Sequence, residues 1–165
     1  MGLVVGLVKD KRGRLCVHSE TYTRADFIRF FIALLRAANA IPHDFSFSSL
    51  QYLSNAEVYP HKDSNSNLSI CMSFGNCSGG AFNHDGISLD NYCNPIIVDG
   101  AAEHFVEDWQ GDRRSVVLYP HAAVMDTAPE DVAFLSSLGF VSPNRFYLRR
   151  RRYHRRPHLQ RRRSR

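Results

Sequence analysis

The stretch Gly111-Asp112-Arg113-Arg114-Ser115-Val116-Val117-Leu118-Tyr119 has the alternating pattern of a β-strand. Successive side chains of a strand point to opposite faces, so residues spaced by two lie together. One face carries the odd-numbered residues, namely Arg113, Ser115, Val117 and Tyr119. The apolar Val116 and Leu118 face the other way. We therefore predict a strand that packs a core layer on one face and lines a pocket with the other.

The polar members of the pocket face are Arg113 and Ser115. A guanidinium can clamp a carboxylate through two hydrogen bonds, and a neighbouring hydroxyl can add a third. Strand alternation pairs Arg113, and not Arg114, with Ser115. The alternative is that Arg113 is an ordinary ion-pair partner of the acidic residues close to it in sequence, which are Glu107, Asp108 and Asp112.

Many short strand-like segments surround this stretch, and clusters of Gly, Asn, Asp and Ser separate them. After Pro42 they are residues 45–48, 51–59, 68–74, 95–98, 104–106 and 115–119, and 139–148 is a candidate last strand. An N-terminal hairpin is predicted from 3–8 and 14–18, with a turn between them. Many short strands at close spacing indicate a barrel or sandwich, here as an α+β fold that is mainly β.

One helix is predicted before these strands. Thr23-Arg24-Ala25-Asp26 has the form of a capping box, with Thr23 as the N-cap, and Asn39 and Pro42 end the helix after about Ala38. A stripe at helical spacing predicts the packing face of this helix. Its members are Phe27, Phe31, Leu34, Leu35 and Ala38.

The segment Tyr59-Pro60-His61-Lys62-Asp63 contains His-x-Asp, and His104 follows later in the chain. On an extended segment His61 and Asp63 point to the same side, so an imidazole and a carboxylate can share one metal ion. Two His and one carboxylate on one face of an ion are typical of non-haem Fe(II) oxygenases. The alternatives are a His hydrogen-bonded to a nearby Asp in a loop and, for His104, a surface histidine.

The ordered pattern His61-x-Asp63 … His104 … Arg113-x-Ser115 resembles the Fe(II)/2-oxoglutarate-dependent dioxygenase superfamily. The resemblance covers roughly residues 50–120. It includes Ser78-Gly79-Gly80-Ala81-Phe82, similar to a Gly-Gly turn between two half-barrels, and Asp99-Gly100 before the distal His. The fold implied is a double-stranded β-helix, or jelly roll, with a core at about 45–125 and a supporting N-terminal helix. Residues 1–148 would then form a single oxygenase-like domain.

The resemblance also implies roles for individual residues. His61, Asp63 and His104 would hold Fe(II), and Arg113 and Ser115 would bind the distal carboxylate of 2-oxoglutarate. Two further cosubstrate contacts are expected at Tyr59 and Asn67. The implied reaction consumes O2, with ascorbate as a supporting reductant, and releases succinate and CO2. It hydroxylates or demethylates a substrate that the sequence does not identify.

Charge divides the 165-residue chain into two parts. The net charge is +5, yet residues 149–165 (the basic tail) contain ten Arg and no acidic residue, which leaves 1–148 at −5. We expect the tail to be disordered, because it cannot bury an apolar core. Arg runs bind phosphate backbones without reading sequence. The alternatives are a solvated tail without a partner and a non-catalytic jelly-roll module that docks on nucleic acid through this tail.

Two further features exclude classes of protein. No apolar run reaches the roughly 18 residues that a membrane span needs, so no membrane partner is expected. The four cysteines, Cys16, Cys71, Cys77 and Cys93, contain no Cys-x-x-Cys pair and predict free thiols in a reducing compartment. We therefore expect an intracellular protein, cytoplasmic or nuclear.

Overall fold

The computed structural model describes residues 2–63, 68–121 and 124–141. Nine strands are β1 (Gly2–Lys9), β2 (Leu15–Val17), β3 (Ser49–Ser54), β4 (Leu68–Gly79), β5 (Phe82–His84), β6 (Ile87–Leu89), β7 (Ile96–Asp99), β8 (His104–Val106) and β9 (Trp109–Tyr119). The helices are α1 (Ser19–Thr23), α2 (Ala25–Ala37) and α3 (Pro129–Ser137), with a 3₁₀ turn at Val124–Asp126. Among the described residues no helix is long and apolar enough to span a bilayer.

The strands form two antiparallel sheets. Six strands make the larger sheet in the order β2-β1-β3-β9-β4-β7, and three make the smaller one in the order β6-β5-β8. Strand β9 lies at the centre of the larger sheet, where it pairs along its length with β4 and over its second half with β3. The predicted Arg-x-Ser strand is therefore held between two neighbours.

A separate apolar cluster packs on each face of the larger sheet. Val116 and Leu118 belong to the main core, together with buried residues of α2 and α3. Val117 faces the opposite side and packs against a smaller cluster that joins Cys71 of β4 to Phe82 of β5. The two faces of β9 therefore pack on different apolar clusters, as the alternation of the strand predicted, and the pocket expected on the Arg113 face stays a prediction.

The helix prediction was partly wrong. Thr23 ends α1, where its hydroxyl donates to the Glu20 carbonyl, and α2 begins after Arg24 without a side-chain cap. The buried side chains of α2 are Ile28, Ile32 and Leu35. Phe27, which we placed on the packing face, is 62% exposed. Phe31 is partly buried against the core, whereas Phe30, like Phe27, is exposed.

The end of α2 follows the prediction for a local reason. Asn39 has φ +56°, and the Ala40 amide donates to the Leu35 carbonyl at 2.8 Å. Asn is among the few residues that adopt this left-handed conformation at a helix C-terminus.

Other elements differ from the prediction in extent. Residues 45–48 form only a single bridge, between Phe47 and Val141, and the strand predicted at 51–59 ends at Ser54. Helix α3 was not predicted. Trp109 opens β9 opposite Gly79. The predicted strand at 139–148 lies almost wholly outside the described residues, as does the basic tail.

The described fold is mainly β and is compatible with a jelly roll. Every pair of neighbouring strands in both sheets is antiparallel, and one face of the larger sheet packs on the smaller sheet while the other packs on the helices. The helix α2 supports the larger sheet from outside, as expected for the N-terminal helix.

Candidate metal centre and carboxylate subsite

Three potential metal ligands converge at one end of the two sheets. His104 opens β8, and His61 reaches it through a bridge in which each backbone amide donates to the other residue's carbonyl. The ligand atoms of His61, Asp63 and His104 all lie within 4.8 Å of one another. The structure therefore brings together the three residues that the sequence pattern selected.

The two imidazoles present the same ring nitrogen to the centre. His61 Nδ1 lies 2.8 Å from the Tyr59 carbonyl, and His104 Nδ1 lies 2.9 Å from the Ala102 carbonyl. A carbonyl only accepts, so each Nδ1 must carry the hydrogen and each Nε2 of the neutral ring keeps a lone pair. A backbone carbonyl that fixes the ring in this way is usual for a metal-binding histidine.

Asp63 lies between these two nitrogens. Its Oδ1 is 3.7 Å from His61 Nε2, and its Oδ2 is 3.9 Å from His104 Nε2. Both distances are too long for a hydrogen bond, which argues against a simple His–Asp pair in a loop. Ligand atoms at adjacent positions around one ion, each about 2.1 Å from it, lie about 3.0 Å apart, so these atoms would have to move closer together to share an ion.

Gly100 explains how Asp63 is held in place. The Asp63 amide donates to the Gly100 carbonyl at 2.8 Å. A Cβ atom on Gly100 would lie 2.9 Å from Asp63 Oδ2, so any larger residue there would displace the carboxylate. The Phe82 ring stacks on the His104 ring, with 5.5 Å between the two centroids.

Arg113 is buried on the pocket face of β9. The residue is 4% exposed, whereas Arg114 is exposed. Its Nε donates to the Gly80 carbonyl at 3.1 Å, and its guanidinium carbon lies 5.8 Å from the centre of the Trp109 ring. Within the described residues Arg113 forms no ion pair, and its Nη2 is buried without a hydrogen-bond partner. The ion-pair alternative therefore finds no support.

The unsatisfied Nη2 indicates what the pocket is suited to bind. A buried donor left without an acceptor costs about 1–3 kcal/mol. Burial also lowers the pKa of Arg113, while the nearby Cys77 and Cys71 thiols act in the opposite direction. An incoming carboxylate would supply both the missing acceptor and a compensating charge. Ser115, also buried, lies two residues further along the same face.

The backbone of Arg113 is fixed by Asn55. The Arg113 amide donates to Asn55 Oδ1 at 2.7 Å, and the Asn55 amide donates to the Arg113 carbonyl at 2.8 Å. Asn55 adopts φ +48° directly after β3, a conformation that Asn tolerates better than most residues. This two-sided contact anchors the strand at the point where the guanidinium leaves it.

The Cys71 thiol interacts electrostatically with both Asp63 and Arg113. It lies on β4 opposite Val117, and it is buried. Desolvation raises the pKa of its thiol to about 12; the Asp63 carboxylate adds to this rise, and the Arg113 guanidinium opposes it. Asp63 and Arg113 therefore act on one thiol, although they come from different parts of the chain. Burial raises the pKa of Tyr119 as well, and the Asp63 carboxylate contributes to that shift.

The two remaining predicted site residues are placed differently. The Tyr59 side chain is 72% exposed, and its hydroxyl donates to the Glu57 carboxylate. Its contribution to the centre is the backbone carbonyl that orients His61. Asn67 lies outside the described residues.

Sequence reasoning missed the neighbours that position Arg113. Asn55 and Trp109 carried no motif, and Gly80 was noted only as a turn residue. The one usable signal was the pair Gly79-Gly80, because a glycine in a short connection often allows a close approach. Here a Cβ on Gly80 would lie 2.7 Å from Arg113 Nε.

Comparisons with known proteins agree with the fold. No family model matches the chain, and no curated protein matches it. Among solved structures the chain is similar to NgTET1 in complex with 5mC DNA, with a TM-score of 0.52 and 13% identity. The match covers 73% of this chain and 61% of the NgTET1 chain, so the chain spans less than two thirds of that protein. The likeness is one of fold.

Proposed function

We propose that the protein is an Fe(II)/2-oxoglutarate-dependent dioxygenase that hydroxylates or demethylates its substrate. The observation that carries this proposal is the convergence of His61, Asp63 and His104, with both Nε2 atoms directed by backbone carbonyls, in a β fold similar to that of NgTET1.

The donor set suits iron in its chemistry. Two neutral imidazoles and one carboxylate are the facial set of non-haem Fe(II) oxygenases, and they leave other positions of the ion open. His61, Asp63 and His104 would hold the ion. Bound iron would supply the activation of O2 that couples decarboxylation of 2-oxoglutarate, to succinate and CO2, to oxidation of a substrate C–H bond.

The proposed role of Arg113 is to bind and orient the cosubstrate. Its buried Nη2 would donate to the distal carboxylate of 2-oxoglutarate, with Ser115 as a second donor. The apolar Val117 and Phe82 nearby would keep water from this ion pair, which strengthens it. The predicted cosubstrate contacts of Tyr59 and Asn67 stay predictions. Ascorbate would act only as a reductant that keeps the iron in the Fe(II) state.

The decisive experiment measures succinate. Purified protein is incubated with Fe(II), ascorbate and 2-oxoglutarate, and we expect succinate even without a substrate. Asp63→Ala should abolish iron binding, which is measured separately by metal analysis or by Co(II) absorbance. Asp44→Asn serves as the control, because Asp44 is an exposed carboxylate outside the triad.

Arg113→Ala separates the two parts of the proposal. The variant should still bind metal but should need a much higher 2-oxoglutarate concentration, because it loses a charge-assisted hydrogen bond. If the wild-type protein neither forms succinate nor binds 2-oxoglutarate in a metal-dependent way, the proposed function is wrong.

Nucleic acid is a further proposed partner. NgTET1 was crystallised with 5mC DNA, and the ten arginines of the basic tail suit phosphate backbones. We assign this contact to residues 149–165 and not to the described body of the protein.

A further inference from the structure

A wide groove lies beside the candidate metal centre. Its volume is about 1190 Å³, and it is lined by residues 57–60, 78–79 and 105–110. Pockets for small molecules usually measure about 300–1,000 Å³, so this groove is large enough for a polymer segment. We call it the acidic groove, for the reason given next.

The charged side chains that line the groove are all negative. Its lining includes Glu57, Glu107 and Asp108, and none of its lining residues is Lys, Arg or His. Within the described residues none of these three carboxylates forms an ion pair. Their partners are neutral: Glu57 accepts from the Tyr59 hydroxyl, and Glu107 accepts from the Asn83 amide. Three negative charges therefore remain without a cationic partner.

Aromatic rings stand among these carboxylates. Tyr59 is largely exposed on one wall, and the partly exposed Phe105 and Trp109 also line the groove. An ammonium or guanidinium group within about 6 Å of such a ring is attracted by its negative face. Carboxylates and aromatic faces favour the same kind of ligand, a cation with an apolar stem.

The groove is continuous with the candidate active site through the chain. Residues 57–60 lead directly into His61, and residues 105–110 follow His104. The two segments are tied together, because the Val106 amide donates to the Val58 carbonyl at 3.1 Å. Trp109 touches both regions: it lines the groove and lies against the Arg113 guanidinium. None of the three metal ligands lines the groove, but two of the segments that line it lead directly to His61 and His104.

We propose that the acidic groove binds a basic polypeptide segment and so presents a Lys- or Arg-containing protein to the metal centre. This inference rests on the proposed function, whose substrate class it names. Charge complementarity selects the occupant, because only a cationic chain gains from all three free carboxylates.

The same charges disfavour nucleic acid in this groove. A phosphate backbone would meet three carboxylates and no compensating Lys or Arg on the lining. Arg113, which lies against Trp109, is itself buried. Although NgTET1 was solved with 5mC DNA, this groove is suited to a polymer of the opposite charge.

The test uses the emission of Trp109, which is the only tryptophan in the chain. Full-length protein without iron or 2-oxoglutarate is titrated with a ten-residue peptide of alternating Lys, Arg and Gly, and with the peptide in which Glu replaces Lys and Arg. We expect the basic peptide alone to shift the emission, with a Kd that rises with salt.

The variants Glu57→Gln, Glu107→Gln and Asp108→Asn keep the shape of each side chain and remove its charge. Each should raise the Kd about two- to fivefold, and the triple variant more, because partly exposed ion pairs are individually weak. Asp44→Asn removes a charge outside the groove and should change nothing. Tyr59→Leu should weaken binding, whereas Tyr59→Phe should retain it.

Several outcomes would overturn the assignment. One is a triple variant that binds the basic peptide as tightly as the wild type. Another is that the charge variants of the groove weaken binding of a DNA oligonucleotide, which would show that the groove binds nucleic acid. A third is that Trp109 already shows the emission expected for the bound state before any peptide is added, and that this emission is lost in the triple variant. The occupant of the groove would then be residues 149–165 of the same chain. Succinate formation and metal binding, measured separately, show whether the proposed function stands whichever outcome is found.

Discussion

At the scale of single residues, the candidate site depends on side chains whose partners are fixed by backbone groups. The Tyr59 and Ala102 carbonyls set the tautomers of His61 and His104, and the Gly80 carbonyl accepts from Arg113. Backbone carbonyls are rigid acceptors, so they fix the orientation of a ring or a guanidinium before any ligand arrives. The arrangement therefore requires little rearrangement when a metal or a carboxylate binds.

Cys71 provides a prediction at this scale. Because burial raises the pKa of its thiol to about 12, only about one molecule in ten thousand carries the thiolate at pH 8. Iodoacetamide should therefore leave Cys71 unmodified in the folded protein and should modify the exposed Cys93 quickly. Peptide mapping by mass spectrometry after alkylation gives the readout.

The control for Cys71 is the same reaction in denaturant, where both cysteines should react. The raised pKa of Cys71 determines how the stability of the folded protein changes with pH. Stability gained by keeping this thiol neutral is present below about pH 9 and is lost as the pH rises toward about 12. Rapid alkylation of native Cys71 at pH 8 would contradict its burial beside Asp63.

At the scale of elements, the connection between β4 and β5 determines where Arg113 can lie. Gly80 adopts φ +76°, and a Cβ there would lie 2.7 Å from Arg113 Nε and 2.8 Å from its Cδ. The glycine is required both for the turn and for the close approach of the guanidinium. Strand β9 and this turn would therefore form the proposed carboxylate subsite together.

Gly80→Ala tests this close approach. The added methyl group should displace Arg113 and raise the 2-oxoglutarate requirement about 10- to 100-fold, the loss expected for a charge-assisted hydrogen bond. Metal binding should persist, because the triad lies on other segments. Equilibrium binding of 2-oxoglutarate to the metal-loaded protein gives the measurement.

Gly13→Ala is a matched control, since Gly13 has the same φ of +76° and nothing within 4 Å of the added Cβ. Both variants should lose about 1 kcal/mol of unfolding free energy from backbone strain alone. Equal 2-oxoglutarate requirements in the two variants would show that Gly80 does not position Arg113.

Strand alternation and helix packing were predicted with different success at this scale. The faces of β9 follow from a local rule, because residues spaced by two always share a face. For α2 the predicted stripe was partly wrong, since Phe27 and Leu34 are exposed whereas Ile28 and Ile32 are buried. The buried face of a helix depends on contacts with elements distant in sequence, which helical spacing alone does not specify.

At the scale of the whole molecule, charge is separated along the chain. Residues 1–148 carry −5 and contain the candidate site, whereas ten arginines lie in 149–165. The acidic groove and the basic tail would attract ligands of opposite charge. The two proposed partners, nucleic acid at the basic tail and a basic polypeptide in the acidic groove, would therefore bind to different parts of the protein.

Removing residues 149–165 tests the role of the tail. The net charge changes from +5 to −5, so binding to DNA or RNA should be lost, together with its steep dependence on salt. Affinity measured by fluorescence anisotropy at several salt concentrations gives the result. A variant with Gln in place of the ten arginines controls for chain length and should behave in the same way. Undiminished binding by residues 1–148 would place the nucleic-acid contact on the body.

The order of the candidate functional residues along the chain could be predicted from the sequence alone. The spacing of two predicted a shared face within His61-x-Asp63 and within Arg113-x-Ser115. The mainly β character followed from short alternating segments. These features depend only on residues that are near each other in sequence, whereas His104 was selected because the ordered pattern resembles a known superfamily.

Tertiary structure decided what depends on distant residues. The bridge that brings His61 to His104, the contacts of Arg113 with Gly80 and Asn55, and the groove between residues 57–60 and 105–110 all arise from strand pairing. Strand register is set by the burial of whole faces across a sheet, which no local pattern contains. The motif therefore came from sequence, and the surroundings that hold its residues in place came from the fold.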